Sequence, residues 1–510
     1  MKKNVLIYFL VFLTTILTGS LCAQNASNNY SQLKNDFIHP PAAAKPWVFW
    51  YWMQAAVSKE GITADLEAMK EVGIGGAYLM SIKDTASPQL YRPAARQLSK
   101  EWMELVKFAM QEAKRLNLQL GMHVSDGFAL AGGPWITPAL SMQKVVFSKT
   151  IVKGNQLFKQ NLLQPETNEG YYKDIAVYAY KNTDTASSNN ASTQPIVTSN
   201  KPGNYQFLLS LNSKESFKAD SNAFIQYQFK TPFTCRSIVI RTNGSNYQAQ
   251  RLIIQTSNDG VNFKTIKQLE SPRHGWQDTD APVTHSIPYT TAKFFRFLYD
   301  KNQSEPGAED LDNAKWKPNL KISGIELLSS ALINQYESKN GEIWRVSKRT
   351  DSVEMPTELC VPLKELLNLT NKMVNGKLQW QAPTGTWTII RIGHTSTKHA
   401  NETGGAAKGL ECDKFNSTAI TLQFNSWYGK IYASLGNDLA KKVLTNFHVD
   451  SWECGSQNWS TNFLTEFENR RGYSLLPYLP VMAGIPIVSA NKSEAVLLDI
   501  RQTIAELVND

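Results

Sequence analysis

Apolar runs of strand length and amphipathic stretches of helix length alternate three times in the first part of the chain. Residues 47–52 form a dense aromatic run that predicts a buried strand, and residues 58–72 place Ile62, Leu66 and Met69 on one helical face. The alternation continues with a strand at 75–80, a helix begun by Ser99 and a strand at 118–124. Such β–α alternation with short connections predicts a parallel sheet covered by helices.

Short alternating strands replace this pattern in the middle of the chain. The clearest piece lies at 237–297 and holds SIVIR, RLIIQTSNDGVNFKTIKQL and AKFFRFLY, with a tight turn predicted at Asn258-Asp259-Gly260. This piece resembles the discoidin or galactose-binding-like β-sandwich of carbohydrate-binding modules and extends over about 200–330. The flanking segments 144–180 and 343–392 predict two halves of another sandwich, so one sandwich is nested within the other.

The β/α pattern resumes after about residue 393. It predicts a helix at 421–435, a strand and a helix within 446–473, a strand at 478–483 and a final helix at 493–507. Five or six strand–helix units result, fewer than the eight of a closed barrel. We therefore predict an α/β fold: a (β/α)8-type barrel, incomplete within these 510 residues, with a nested all-β sandwich insertion. The predicted boundaries are a signal peptide at 1–23, barrel at 24–143, the insertion at 144–392 and continuing barrel at 393–510.

The first 23 residues have the pattern of a secretory signal. Lys2 and Lys3 form the basic region, residues 5–17 the apolar region, and the small Ala23 a cleavage site. Bulky Leu21 argues against a lipid-modified Cys22. The apolar run is too short for a comfortable membrane span. We expect a secreted, periplasmic protein without a membrane span.

Composition narrows the function classes. Hydrophobic residues make up 42% and charged residues 19% of the chain, which is typical of a globular protein. The net charge of +9 is spread along the chain with no Lys/Arg run, which disfavours nucleic acid as a partner. The aromatic content of 11% suits stacking on sugar rings, although aromatic cores explain it equally well. The four cysteines beyond residue 23 show no metal-type pairing, so we predict buried thiols without a disulfide framework.

The segment 446–473 carries the strongest candidate for chemistry. Asp450 and Glu453 lie just after a predicted strand and before a predicted helix, the edge at which β/α barrels place catalytic residues. Trp452 and Trp459 flank Glu453, and a partly apolar site would raise the pKa of that carboxyl and suit a general acid. A solvated loop carboxylate beside two core tryptophans is an equally good interpretation.

Four blocks of sequence together resemble glycoside hydrolase family 106, the α-L-rhamnosidases. They are KPWVFWYWMQAAVSKEGITADLEAMKEVGIGGAYLM, LGMHVSDGFALAGGPWITPALSMQKVV, AKGLECDKF and HVDSWECGSQNWSTNFLTEFENRRGY. The resemblance extends from about Pro46 to the end of the chain and is weakest through the sandwich insertion. Long blocks in the same order are more specific than any short motif.

The resemblance implies an inverting, calcium-assisted hydrolase that removes terminal α-L-rhamnosyl residues from plant-type oligo- or polysaccharides. Glu453 matches the family's general acid, and the general base is expected beyond Asp510, so this chain alone should hydrolyse little. Calcium suits the vicinal hydroxyls of rhamnose. Residues of the matching blocks are the other candidates: Glu411 and Asp413 for metal, and Trp52, His123, Asp126 and Asp450 for substrate.

Each of these candidates has a structural alternative. The carboxylates could cap helices or brace loops, and Asp126 precedes a glycine as turn residues do. His123 and His448 could be satisfied interior histidines, and Trp52 could fill the core. At the level of function, the alternatives are a non-catalytic secreted carbohydrate-binding protein and a different β/α-barrel glycosidase. The oligomeric state stays open.

Overall fold

The structure is a computed structural model that describes residues 30–83, 91–125, 127, 131–182, 189–210, 212–242, 247–274, 281–303, 319–401 and 405–510. The chain divides into two compact units. The first unit comprises Met1–Leu130, Glu402–Lys408 and Phe424–Ser451, and the second comprises Ala131–Asn401, Gly409–Gln423 and Trp452–Asp510. The predicted signal peptide lies outside the described residues.

Strands make up most of the regular structure. They are β1 Trp47–Met53, β2 Gly76–Ile82, β3 Gln119–His123, β4 Gly132–Gly133, β5 Gln143–Lys153, β6 Gln156–Asn161, β7 Lys173–Lys181, β8 Ile196–Ser199, β9 Phe217–Ala219, β10 Ala223–Arg241, β11 Ile253–Ser257, β12 Lys264–Gln268, β13 Arg273–His274, β14 Val283–Tyr299, β15 Leu320–Ile322, β16 Gly324–Leu328, β17 Arg345–Val346, β18 Leu367–Asn368, β19 Met373–Val374, β20 Lys377–Ala382, β21 Thr386–Ser396, β22 Leu410–Glu411 and β23 Leu444–His448.

The α-helices are α1 Lys59–Glu71, α2 Lys100–Leu116, α3 Asn190–Thr193, α4 Tyr336–Lys339, α5 Ser417–Phe424, α6 Lys430–Leu435, α7 Asn437–Val443, α8 Phe463–Arg471 and α9 Ala490–Asn509. A π-helical turn, Asn425–Gly429, joins α5 to α6. Among the described residues, no helix combines the length and the apolar character needed to cross a membrane.

The first unit contains a four-stranded parallel sheet in the order β1-β2-β3-β23. The predicted β–α alternation is confirmed through β1, α1, β2, α2 and β3. Ser58 and Ser99 cap α1 and α2 by accepting hydrogen bonds from the backbone N–H groups of Gly61 and Trp102. The described strands form an open sheet of four, and closure of a barrel stays a prediction.

The two faces of β1 have different environments. Trp50 and Trp52 are buried, and Nε1 of Trp50 donates to Oδ2 of Asp65 in α1 at 2.9 Å. Phe49 and Tyr51 point to the other face and are exposed. Because side chains alternate along a strand, Trp50 and Trp52 lie on the face that packs against the helices, and Phe49 and Tyr51 lie on the opposite, exposed aromatic face.

The second unit contains the predicted all-β region. Its largest sheet is antiparallel in the order β12-β11-β14-β10-β16, with β8 added to β10. The predicted turn at 258–260 is present between β11 and β12, and Gly260 adopts a φ of 79°, which favours glycine. Its apolar core includes Tyr227, Phe229, Phe295 and Phe297.

Two further sheets carry the flanking segments. β5 and β7 both pair with β21, and β6 pairs with β20, so strands on either side of the largest sheet in sequence join one another. Trp380 and Trp387 lie in the apolar core that these strands share. The predicted pairing of the two segments is therefore present, although the exact domain boundaries stay predictions.

The strand predicted at 478–483 is wrong. Residues Leu476–Ala483 form a 3₁₀ helix that contains Pro477 and Pro480. Proline has no backbone N–H to donate to a ladder, and its fixed φ suits a helical turn. The apolar run belongs instead to a buried core with α8 and α9.

Candidate functional site

His123, His448 and Asp450 meet at the carboxyl ends of two neighbouring strands in the first unit. His123 ends β3, His448 ends β23, and the two residues are direct partners in the parallel ladder. One ligand atom from each histidine and from Asp450 all lie within 4.8 Å of one another. The structure thus brings together two of the predicted substrate residues, His123 and Asp450, with a histidine that we expected in the interior. We call these three residues the His–His–Asp cluster.

Aromatic rings surround His448. The ring centroids of Phe49 and Tyr78 each lie 5.3 Å from that of His448. The ring of Tyr78 reaches this position because Gly121 has no side chain: a Cβ atom there would lie 2.7 Å from Cδ1 of Tyr78. The cluster therefore lies beside the exposed aromatic face of the sheet.

Two other predicted substrate residues do not join this cluster. Trp52 lies on the helix-covered face, is 4% exposed, and packs at 6.4 Å from the ring of Trp102. Its position agrees with the core-filling alternative, because the period of two along β1 turns Trp52 away from the aromatic face, and the sugar contact stays a prediction. Asp126 lies outside the described residues.

Glu453 lies in the second unit, in the loop between β23 and α8. Its side chain is exposed, which differs from the partly apolar surroundings that we expected from its two flanking tryptophans. Trp459 is buried in the core, 5.2 Å from the ring of Phe463. Trp452 is half-buried and packs edge-on against Trp344 at 5.6 Å. The loop carries an accessible carboxylate.

The Glu453 loop is held by polar contacts that are buried or half-buried. Asn458 Oδ1 accepts a hydrogen bond from the backbone N–H of Val145 at 2.8 Å. Ser456 Oγ donates to the carbonyl of Gly341 at 2.6 Å. Every such bond crosses between segments distant in sequence, so the loop has a defined place on the second unit.

Asp413 is the centre of this anchoring. It is fully buried, and its Oδ2 accepts from Ser460 Oγ at 2.6 Å. Its Oδ1 accepts from the backbone N–H of Phe415 at 2.9 Å and from Gln457 Nε2. Burial raises the pKa of Asp413, and the hydrogen bonds from Ser460 and Gln457 oppose that shift. The side chain holds the loop that carries Glu453.

Glu411 is also fully buried and has a cationic partner. Its Oε2 contacts Lys414 Nζ at 2.5 Å and accepts from the backbone N–H of Ala131 at 3.2 Å. The same ammonium lies 5.3 Å from the ring centroid of Trp452. Protein donors reach both oxygens of Asp413, and Lys414 contacts Oε2 of Glu411, whereas Oε1 of Glu411 is buried without a hydrogen-bond partner among the described residues. The assignment of these two residues to calcium stays a prediction. Calcium takes six to eight oxygen ligands, about 2.3–2.6 Å away.

Residues 38–510 match the model of a family described as alpha-L-rhamnosidase, glycoside hydrolase family 106. The chain belongs to this α-L-rhamnosidase family. The resemblance inferred from the four sequence blocks is confirmed.

Two long relatives are similar to this family member. A protein of Formosa agariphila named "Putative beta-glucuronidase" is 29% identical over 499 residues, which cover 97% of this chain and 30% of that protein. The structure of a rhamnosidase from Novosphingobium sp. PP1Y superposes with a TM-score of 0.75 and 27% identity, covering 93% of this chain and 45% of that one. The chain thus spans less than half the length of each.

A further structural match covers only part of this chain. The family 32 carbohydrate-binding module of Streptococcus pneumoniae EndoD is 13% identical, with a TM-score of 0.20, over 28% of this chain and 98% of that one. At this level the likeness adds nothing to the strand pairing described above.

Several residues that organise the Glu453 loop were not predicted from the sequence. Gln457, Asn458 and Ser460 anchor the Glu453 loop, and Lys414 pairs with Glu411. The one sequence signal for Gln457, Asn458 and Ser460 was the density of polar side chains in ECGSQNWS, which predicts a loop but does not identify the partners. Gln457 and Ser460 bond to Asp413, 44 and 47 residues away, and Asn458 bonds to Val145, 313 residues away, whereas Lys414 is only three residues from Glu411.

Proposed function

We propose that this protein is a secreted glycosidase that removes terminal α-L-rhamnosyl residues from plant-type oligo- or polysaccharides with inversion, Glu453 acting as the general acid. The proposal rests on one structural observation: Glu453 is exposed, and the loop that carries it is anchored by the buried carboxylate of Asp413. A general acid has to meet the glycosidic oxygen in a defined position, and an anchored loop supplies that position.

The chemistry needs two carboxyl groups. The acid, Glu453, gives its proton to the leaving oxygen as the glycosidic bond breaks. A second carboxylate, about 6.5–9.5 Å away, takes a proton from the attacking water on the opposite face of the sugar. We assign no residue of this chain to the general base.

The substrate class rests on family membership and on the similar Novosphingobium rhamnosidase. The Formosa relative is named as a β-glucuronidase, so a glycan that ends in a glucuronosyl residue is the alternative substrate within the glycosidase class. Exposed rings beside the His–His–Asp cluster suit a sugar face. Calcium dependence stays part of the proposal, without ligands assigned to it.

The test compares Glu453→Gln with the unchanged protein on two aryl α-L-rhamnosides, in the 510-residue chain and in the longest product of its reading frame. We expect the variant to lose nearly all turnover of the substrate whose poor leaving group needs a proton. It should retain a larger share on the substrate with a good leaving group. Glu468→Gln, an exposed glutamate of α8, is the matched control.

Three outcomes would contradict the proposal. Unchanged turnover of the poor substrate by Glu453→Gln would remove its role as acid. First release of the α-anomer of rhamnose, seen by NMR, would exclude inversion. Release of glucuronic acid from an aryl glucuronide, with no release of rhamnose, would replace the substrate.

A further inference from the structure

We propose that the His–His–Asp cluster binds a divalent transition metal ion, with Zn²⁺ as the expected occupant. Its three residues offer ligand atoms that all lie within 4.8 Å of one another. Nε2 of His448 lies 3.6 Å from Oδ2 of Asp450. This site is separate from the carboxylates that family resemblance suggested for calcium.

The spacing fits an ion better than a direct contact. At 3.6 Å, Nε2 of His448 and Oδ2 of Asp450 are too far apart for a good hydrogen bond. Two atoms that each lie about 2.0–2.2 Å from one Zn²⁺ are separated by about 3–4 Å. Nε2 of His448 is also a buried atom with no hydrogen-bond partner among the described residues. A bound ion would satisfy that nitrogen, which is otherwise costly to bury.

The backbone holds the ligands in place before any ion binds. His123 and His448 are register partners on adjacent strands, so neither can shift without breaking the ladder. Nδ1 of His123 faces the backbone of Ser125, 3.0 Å from its carbonyl oxygen and 3.1 Å from its nitrogen, and these contacts fix the orientation of the imidazole as second-shell partners do in metal sites. Oδ1 of Asp450 accepts from the backbone N–H of Ser451 at 2.7 Å, which leaves Oδ2 toward His448.

The donor set selects the class of ion. Two imidazole nitrogens and one carboxylate oxygen suit Zn²⁺, Co²⁺ or Ni²⁺, whereas Ca²⁺ prefers a shell of oxygens. Three protein ligands leave a coordination position open, as in catalytic zinc sites, and a hydroxyl-bearing ligand or water could take it. The inference stands on the cluster itself and does not depend on the proposed hydrolase activity.

The test measures metal binding directly. Untagged, chelator-treated protein is titrated with ZnCl₂ by calorimetry, and with CoCl₂ while the visible absorption of bound Co²⁺ is followed. We expect one ion per chain and a thermal midpoint that rises with Zn²⁺ concentration. Asp450→Asn and His448→Ala should each weaken Zn²⁺ binding by at least about tenfold. His39→Ala, an exposed histidine outside the cluster, should bind as the unchanged protein does.

Two variants are needed because His448 also packs against Phe49 and Tyr78, so its removal can disturb the sheet. Asp450 has no such packing role in the described contacts, and Asp450→Asn keeps its shape. The proposal is overturned if the unchanged protein binds no stoichiometric Zn²⁺ or Co²⁺. It is equally overturned if Asp450→Asn binds with unchanged affinity, or if Ca²⁺ displaces Zn²⁺ at equal concentration.

Discussion

Ser460 Oγ donates a hydrogen bond to Oδ2 of Asp413 at 2.6 Å, joining residues 47 positions apart in sequence. The bond is buried and lies between the segment after β22 and the segment before α8. Gln457 adds a second bond from the same loop to the same carboxylate. Asp413 therefore acts on Glu453 through the loop, as a positioning residue.

Replacing Asp413 tests this anchor. Asp413→Ala leaves the hydroxyl of Ser460 and the N–H groups of Phe415 and Gln457 without an acceptor, so we expect a loss of about 3 kcal/mol or more in the free energy of unfolding. Asp413→Asn keeps an acceptor and should cost about 1–2 kcal/mol. Urea unfolding measures both, and the exposed Asp220→Asn should change stability by no more than about 0.5 kcal/mol.

The same variants have a kinetic readout. If the anchor positions the general acid, Asp413→Asn should lower kcat on a rhamnoside more than it alters KM, and the loss should be larger for a poor leaving group. Equal losses on both leaving groups would mean that Asp413 has a purely structural role.

Gly121 should tolerate no side chain. In Gly121→Ala the new Cβ would meet the Tyr78 ring at 2.7 Å and the carbonyl oxygen of Asn446 at 3.2 Å, so we expect a loss of about 1–3 kcal/mol. Gly61→Ala is the matched opposite, because its Cβ would contact only Ser58 Oγ at 3.4 Å within α1. Thermal unfolding should show a gain of about 0.5–1 kcal/mol there. Similar effects of the two changes would contradict the packing described at the sheet.

Removing one partner of the buried ion pair between Lys339 and Glu494 should destabilise the protein strongly. Nζ lies 2.6 Å from Oε1, with 3% and 4% of the two side chains exposed. Lys339→Met leaves a buried carboxylate uncompensated and should cost about 3–5 kcal/mol. Lys348→Met breaks the exposed pair with Glu270 and should cost at most about 1 kcal/mol. A small loss at Lys339, measured by the same urea titration, would show that solvent reaches this pair.

Glu337 should make stability depend on pH. Burial raises the pKa of Glu337 from 4.5 to about 7, against hydrogen bonds from Thr284 that lower it. Because its pKa is raised, Glu337 stays protonated in the folded state at pH values where it is ionised in the unfolded state. Its contribution to the free energy of unfolding is therefore complete below pH 4.5 and is lost as pH rises to about 7. The free energy of unfolding should fall by about 3 kcal/mol across that interval.

The comparison of unchanged protein with Glu337→Gln isolates this effect. His285, whose pKa is lowered to about 3 mainly by burial, contributes stability that is lost as pH falls below 6.5, and this contribution is common to both proteins. The difference between the two unfolding curves should therefore change only between about pH 4.5 and 7.

The sequence by itself determined the features that depend on neighbouring residues, such as helix caps, helix faces and strand ends. Ser58 and Ser99 cap helices because their side chains bond N–H groups three residues on, and the apolar period in 58–72 places Ile62 and Leu66 inward. Strand ends carrying His123 and Asp450 followed from the same reasoning, as did the family from four long blocks of residues. Pro477 and Pro480 also indicated a helical turn, but the apolar run around them was interpreted as a strand.

Only the tertiary structure decided which partners these residues have. The sequence suggested the carboxylates of Glu411 and Asp413 as metal ligands, and only folding places Lys414, Gln457 and Ser460 on three of their four oxygens. His448 suggested an interior residue until the register of β23 on β3 placed it beside His123. A carboxylate or imidazole has the same identity in every environment, and its role depends on the donors, cations and ligands that folding brings within about 3–4 Å of it.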